Sequence, residues 1–199
     1  LEAVDRRGVD LARSELGLTP PFRMSPEADV LLFVVWAGSG HPSSALIELI
    51  GDRSHAVGPP AAVMALRDRQ SEVIARIGIP HKMDVTLPMA RIAEFVERVH
   101  RAVADRDRLF LFGHLGDGNL HVNVVGPSPE DTAVDDAVLG LVSSMGGSIS
   151  AEHGIGRAKT RWLSSSRSTE EIAVMRAVKR GLDPHGLLNP GVLLPAPPD

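Results

Sequence analysis

The sequence predicts an α+β domain, an antiparallel sheet with helices packed on one face. Three observations lead there. Strand-like and helix-like segments alternate along the chain, a Gly-rich turn near residue 116 joins two apolar runs, and 43% of the 199 residues are hydrophobic, enough for a proper core.

The elements follow in order. "LEAVDRRGVDLARSEL" (1–16) has Leu1, Val4, Val9, Leu11 and Leu16 on one side and reads as a helix; residues 1–27 form a helical lead-in and linker ahead of a domain over 28–199. The chain starts without methionine and inside a pattern, which is expected of a fragment or a separately encoded domain. "ADVLLFVVWAG" (28–38) reads as a buried strand, "HPSSALIELIG" (41–51) as a short helix, and 52–60 as a loop. "PAAVMALRDRQSEVIARIG" (60–78) reads as one helix, with Pro near its start and Gly at its stop. "HKMDVTLP" (81–88) alternates as a half-buried strand does, and the apolar stripe Ile92, Phe95, Val96, Val99 marks an amphipathic helix. "RLFLFGH" and "LHVNVVG" are strands on either side of the turn. A helix over 129–145, a short strand "GSISAEHG", a helix over 169–182 and a Pro/Gly-rich tail complete the chain.

Composition excludes several classes of function. A net charge of −4 argues against nucleic acid or an anionic membrane surface as a general partner. The absence of cysteine removes disulfides, zinc–thiolate sites and thiol catalysis. No apolar run has the length of a membrane span, and no signal peptide opens the chain, so a cytoplasmic setting is expected. Only three lysines occur, Lys82, Lys159 and Lys179.

The stretch "GHLGDGNLHVN" (113–123) holds two of the eight histidines. Its turn residues Gly116, Asp117, Gly118 and Asn119 suit a hairpin, which brings His114 and His121 together across a ladder. His121 and Asn123 project from one face of their strand. Two imidazoles and a carboxylate form a recurrent divalent-metal site, and the carboxylate is either Asp117 or Glu152. A turn aspartate ordinarily caps its own loop, which favours Glu152, in "SISAEHGIG". Spacing alone is more often the mark of histidines with no such role.

Three motifs in order, "GHLGDGNLHVNV", "SAEHGIGRAK" and "LDPHGLLNPG", resemble the carboxy-terminal domain of FAD-linked 2-hydroxy-acid oxidases, which act on acids of the D-lactate, glycolate and D-2-hydroxyglutarate type. The likeness runs from about Ala28 to the end. It implies a ferredoxin-like antiparallel sheet that closes over a flavin held by a separate amino-terminal domain. It implies His114, His121 and Glu152 as ligands of a divalent metal (zinc, manganese or iron), His153 as catalytic base, Asn123 near the substrate or the metal-bound group, and Asn189 near the flavin. "LRDRQSEVIARIGIPHKMD" resembles the segment that binds the substrate carboxylate, which implies Arg67, Ser71 and Lys82. On residue type alone, Arg67 is a solvated helix arginine and Lys82 an edge-strand lysine. Arg157 and Lys159 read as solvated or phosphate-facing. Between Gly38 and Met64 the chain is shorter than the family pattern, and Met64 stands where an aromatic is common.

The reaction implied is oxidation of a 2-hydroxy acid to the 2-oxo acid, with FAD as the acceptor and the metal as Lewis acid and template. The expected partners are the FAD-binding domain or subunit, a small 2-hydroxy acid, and an unidentified electron acceptor that is a route to membrane association. A second copy in a homodimer is an open option, and nucleic acid is not expected. The fragment alone is expected to be inactive. Two other readings stand beside this one, a self-sufficient metal-dependent hydrolase using the same three residues and a non-catalytic interaction domain.

Overall fold

The computed structural model describes residues 1–35, 44–51, 59–103 and 108–194. Most of the expected 52–60 loop, the Gly38 end of the first expected strand, and the "PAPPD" tail lie outside these residues. Five antiparallel strands form one sheet: β1 (Glu2–Asp5), β2 (Val30–Phe33), β3 (Pro80–Thr86), β4 (Leu109–His114) and β5 (Asn119–Val125). Their order across the sheet is β2-β1-β4-β5-β3. The helices are α1 (Arg6–Leu16), α2 (Ser44–Ile50), α3 (Pro60–Asp68), α4 (Gln70–Ile77), α5 (Ile92–Ala102), α6 (Ala133–Ser144), α7 (Leu163–Ser166) and α8 (Thr169–Leu182). Among the described residues no helix is long and apolar enough to cross a membrane.

The antiparallel α+β architecture is the expected one, but the helices cover both faces of the sheet rather than one. Leu109 and Leu111 of β4 pack with Phe95 and Val99 of α5 and with Val138, Leu139 and Val142 of α6. Phe110 and Phe112, which point the other way, pack with Val9 of α1, Leu66 of α3, and Val73 and Ile74 of α4. A strand buried on both faces reads as an unbroken apolar run, and "LFLF" is one.

Local departures have physical causes. Residues 2–5, expected as helix, are a strand between β2 and β4, and the helix begins only at Arg6. Asp5 makes that change of direction. Its buried carboxylate accepts from Gly8 N as the N-cap of α1 and from Leu111 N of β4, each at 2.6 Å. Burial, only partly offset by those N–H donors, pushes the Asp5 carboxyl up to about 6. The strand expected at 28–38 is the short edge strand β2, with Val30 and Leu32 exposed. The single helix expected over 60–78 breaks at Arg69 (φ −91°, ψ 2°), where the buried Gln70 side chain donates to Leu66 O and Gly8 O. The expected "GSISAEHG" strand reduces to one bridge, Ser148 with Thr86. The helix over 169–182 is as expected and starts with a capping box between Ser168 and Glu171. On the opposite face from the hairpin histidines, buried His81 ties β3 to α6 through Asp135 (2.6 Å) and to Ser128 O (3.0 Å).

Candidate metal and substrate site

The hairpin forms as the turn residues require. Asp117 Oδ1 accepts from Asn119 N (3.1 Å), so Asp117 caps its own turn and does not join the histidines. Gly118 has φ +79°, and a Cβ there would stand 2.3 Å from Leu87 O, so only glycine fits. The register pairs Phe112 with His121 and places Asp84 of β3 opposite His121 and Lys82 opposite Asn123. Alternation then puts Lys82, Asp84, His121, Asn123 and His114 on one face of the sheet, the face under α3 and α4.

Glu152 reaches this face from the loop beyond β3. One donor atom each from His114, His121 and Glu152 lie within 4.8 Å of one another. His114 Nε2 is 3.5 Å from Glu152 Oε1, and the two imidazole rings meet edge to face at 5.9 Å. Two ligand atoms bound tetrahedrally to one ion at about 2.0–2.2 Å stand about 3.4 Å apart, so the widest pair would close by roughly 1.4 Å for the three side chains to share an ion.

A carboxylate stands beside each imidazole. Glu2 Oε1 lies 2.8 Å from His114 Nδ1, and Glu2 Oε2 accepts from Arg67 Nε at 2.8 Å. That pairing fixes the proton of His114 on Nδ1, and the Nε2 lone pair accepts from an Arg67 N–H at 2.7 Å. Asp84, 3% exposed, accepts from Glu152 N (2.7 Å) and His153 N (3.1 Å) through Oδ2. Its Oδ1 faces His121 Nδ1 at 3.4 Å. Burial alone would raise the Asp84 carboxyl, but those two N–H groups, with the His153 and His121 rings, hold it below its usual value. Burial pushes the His121 imidazole down against the pull of Asp84, which favours the neutral, metal-ligating form.

The other expected residues divide. His153 is 68% exposed, lies near-parallel to His121 at 6.0 Å, and has Nδ1 3.8 Å from Asp84 Oδ2. Arg67 is in the site, held by Glu2 and set over the Phe112 ring. Asn123 is buried on the site face, and Lys82 is exposed beside it. Ser71 lies beyond the break at Arg69, exposed in the first turn of α4, so it does not share a continuous helix with Arg67. Asn189 is exposed with φ 45°, in a turn whose Leu193 N donates to Gly156 O, so the "NPG" segment runs beside the "HGIG" loop. Lys159 is not solvated as expected: Nζ donates to Ile149 O (2.7 Å) and Asp84 O (3.2 Å), and burial lowers its pKa. Arg157 is exposed and donates to Pro190 O. Sequence reasoning missed Glu2 and Asp84. Glu2 sat in a segment read as helix, while Asp84 had a faint signal, alternating with the apolar residues of β3 as Lys82 does.

The sheet and the loop beside it bring two imidazoles, a carboxylate and an arginine together, a group whose chemistry could hold a divalent cation beside an anion. The model of the FAD linked oxidases, C-terminal domain, matches residues 1–193, and the chain belongs to that family. It is similar to D-2-hydroxyglutarate dehydrogenase of Xanthomonas citri pv. viticola, 43% identical over 145 residues that cover 67% of this chain and 30% of that protein. The mitochondrial D-2-hydroxyglutarate dehydrogenase of Bos taurus is 32% identical over 209 residues, 98% of this chain and 38% of that one. The protein of the same name from Danio rerio is 37% identical over 138 residues, 67% and 26% respectively. The chain therefore spans about a third of the length of these relatives.

Proposed function

We propose that this chain is the substrate- and metal-binding part of an FAD-dependent dehydrogenase that oxidises a 2-hydroxy acid of the D-2-hydroxyglutarate type to its 2-oxo acid. The convergence of His114, His121 and Glu152 on one point, in a chain of this family, carries the reading. Flavin, held mainly by protein outside this chain, supplies the redox chemistry. A divalent cation on His114 Nε2, His121 Nε2 and Glu152 supplies Lewis acidity. The donor set suits zinc, manganese or iron: Glu2 takes His114 Nδ1 and Asp84 faces His121 Nδ1, and His114 Nε2 would serve the ion once Arg67 turns from it to the substrate carboxylate.

The remaining steps fall to the chain's own side chains. Arg67 offers a bidentate fork to the substrate carboxylate beside the hydroxyl, and Glu2 orients it. Lys82 stands on β3, two strands away from His114 on β4, about 10 Å across the sheet. Cations on opposite sides of the ligand set suit an acid with two carboxylates. Asn123 hydrogen-bonds the substrate from between them. His153 accepts the hydroxyl proton, its Nδ1 side turned to Asp84 and its Nε2 directed to the substrate. Asn189 lies on the flavin side. The exposed apolar residues Val174, Val178 and Leu182, spaced four apart on α8, are consistent with a helix that packs against the flavin-binding part.

The test uses the intact protein, an artificial electron acceptor and a panel of D- and L-2-hydroxy acids. Activity should be highest on D-2-hydroxyglutarate, disappear with a chelator, and return with zinc, manganese or iron. Full turnover by a His121→Ala/Glu152→Ala double variant would refute the site.

A further inference from the structure

Glu152 and His153 belong to a loop, and loops do not ordinarily hold reacting groups to within half an ångström without help. The loop is attached to the outer edge of β3 in a definite way. Ser148 and Thr86 exchange both backbone hydrogen bonds, Ser148 N to Thr86 O at 2.8 Å and Thr86 N to Ser148 O at 3.0 Å. Ala151 N then donates to Asp84 O at 3.2 Å, after which Glu152 N and His153 N turn in to the Asp84 carboxylate. Between those two fixings, at residues 149 and 150, the ladder is interrupted. Ile149 O would be left without a strand donor there, and it receives Lys159 Nζ at 2.7 Å. The same ammonium reaches Asp84 O at 3.2 Å, so one side chain spans the gap between loop and strand.

We propose that Lys159 is a positioning residue, whose ammonium clamps Ile149 O to Asp84 O and so fixes where Glu152 and His153 stand relative to the hairpin histidines. The inference rests on the metal reading above only for its effect on ligand affinity; the effect on the loop stands apart from it. An ammonium suits the task because it offers three donors and no acceptor, and both of its partners are carbonyl oxygens. Methionine keeps most of the stem's volume and removes every donor, so Lys159→Met separates the clamp from the packing. The chain contains no cysteine. A Lys159→Cys variant alkylated with 2-bromoethylamine therefore restores an ammonium at nearly the same reach, with any cysteine elsewhere in the intact protein first replaced.

Two measurements on the intact protein decide the matter. In Lys159→Met, amide hydrogen exchange should accelerate across residues 149–153, with β4 and β5 unchanged, and should return towards the wild-type rate in the aminoethylated variant. Zinc affinity, read by competition with a chromophoric chelator, should fall about tenfold or more in Lys159→Met and recover with the ammonium, in the range found when supporting partners of metal ligands are lost. Unchanged exchange at 149–153 in Lys159→Met overturns the clamp, whatever the zinc result. Accelerated exchange with no zinc binding by the wild type upholds the clamp and rejects the metal reading.

Discussion

Replacing Asp84 with asparagine removes one charge and keeps one carbonyl oxygen, which makes it a sharp probe of how the histidines are prepared. Oδ2 of Asp84 accepts from Glu152 N and His153 N at 2.7 and 3.1 Å, and a single amide oxygen can still accept both. The amide NH2 must then occupy the place of Oδ1, 3.4 Å from His121 Nδ1. Facing a donor, Nδ1 becomes the acceptor, the ring proton moves to Nε2, and the lone pair that would bind a metal is lost. Loss of a supporting partner of this type costs about 10- to 100-fold in metal affinity, or about 1.4 to 2.7 kcal/mol. Zinc competition titrations of wild type and Asp84→Asn measure this directly, and circular dichroism confirms that both are folded. An Asp84→Asn protein that binds zinc within twofold of wild type would show that the carboxylate does not set the tautomer of His121.

For Asp5, the folded carboxyl titrates near 6 against a reference of 3.8. The folded state therefore holds the extra proton, and the contribution of Asp5 to stability is full below pH 3.8 and is lost as pH rises through 6. The shift is worth about 3 kcal/mol, so urea unfolding of Asp5→Asn should lose that slope between pH 4 and 6; an unchanged slope would assign it to other groups. Gly118→Ala meets Leu87 O and a left-handed φ together, so it should lower stability by about 2 kcal/mol or more and weaken metal binding with it; a wild-type melting temperature contradicts the turn geometry. Phe95→Ala empties a fully buried site between α5 and the sheet and should cost about 3–5 kcal/mol by denaturant titration. Asp117→Ala should leave metal affinity within twofold of wild type while Glu152→Ala abolishes it; the reverse pattern moves the third ligand into the turn.

Much of this was legible in the chain itself. Turn chemistry at 116–119 located the hairpin, period-2 alternation placed Asn123 on the face of His121, and the helix over 169–182 has its expected bounds. Four residues, Glu2 to Asp5, are too short to show a period, and apolar Val4 fits a helix as well as a strand. The break at Arg69 follows from a tertiary contact, Gln70 to Gly8 O, which no local pattern records. The helices on both faces could have been read from "LFLF", whose lack of alternation is itself the signal. Asp84 and Glu2 were hidden because their partners lie 37 and 112 residues away, at His121 and His114, and only the sheet register brings them together.

The distance along the chain between the groups that support the site has a consequence for the protein's life in the cell. The candidate ligands His114, His121 and Glu152 fall within 114–152, but Glu2, Arg67 and Asp84 beside them come from earlier in the chain, so no partly folded piece can present the supported set. An ion bound at the proposed site would act on the whole folding equilibrium and stabilise it by RT ln(1 + [M]/Kd), about 2.7 kcal/mol at a hundredfold excess over Kd. Metal supply would then govern how long the polypeptide survives proteolysis as well as how fast it turns over, and starvation for the ion would clear the apoprotein before it accumulated.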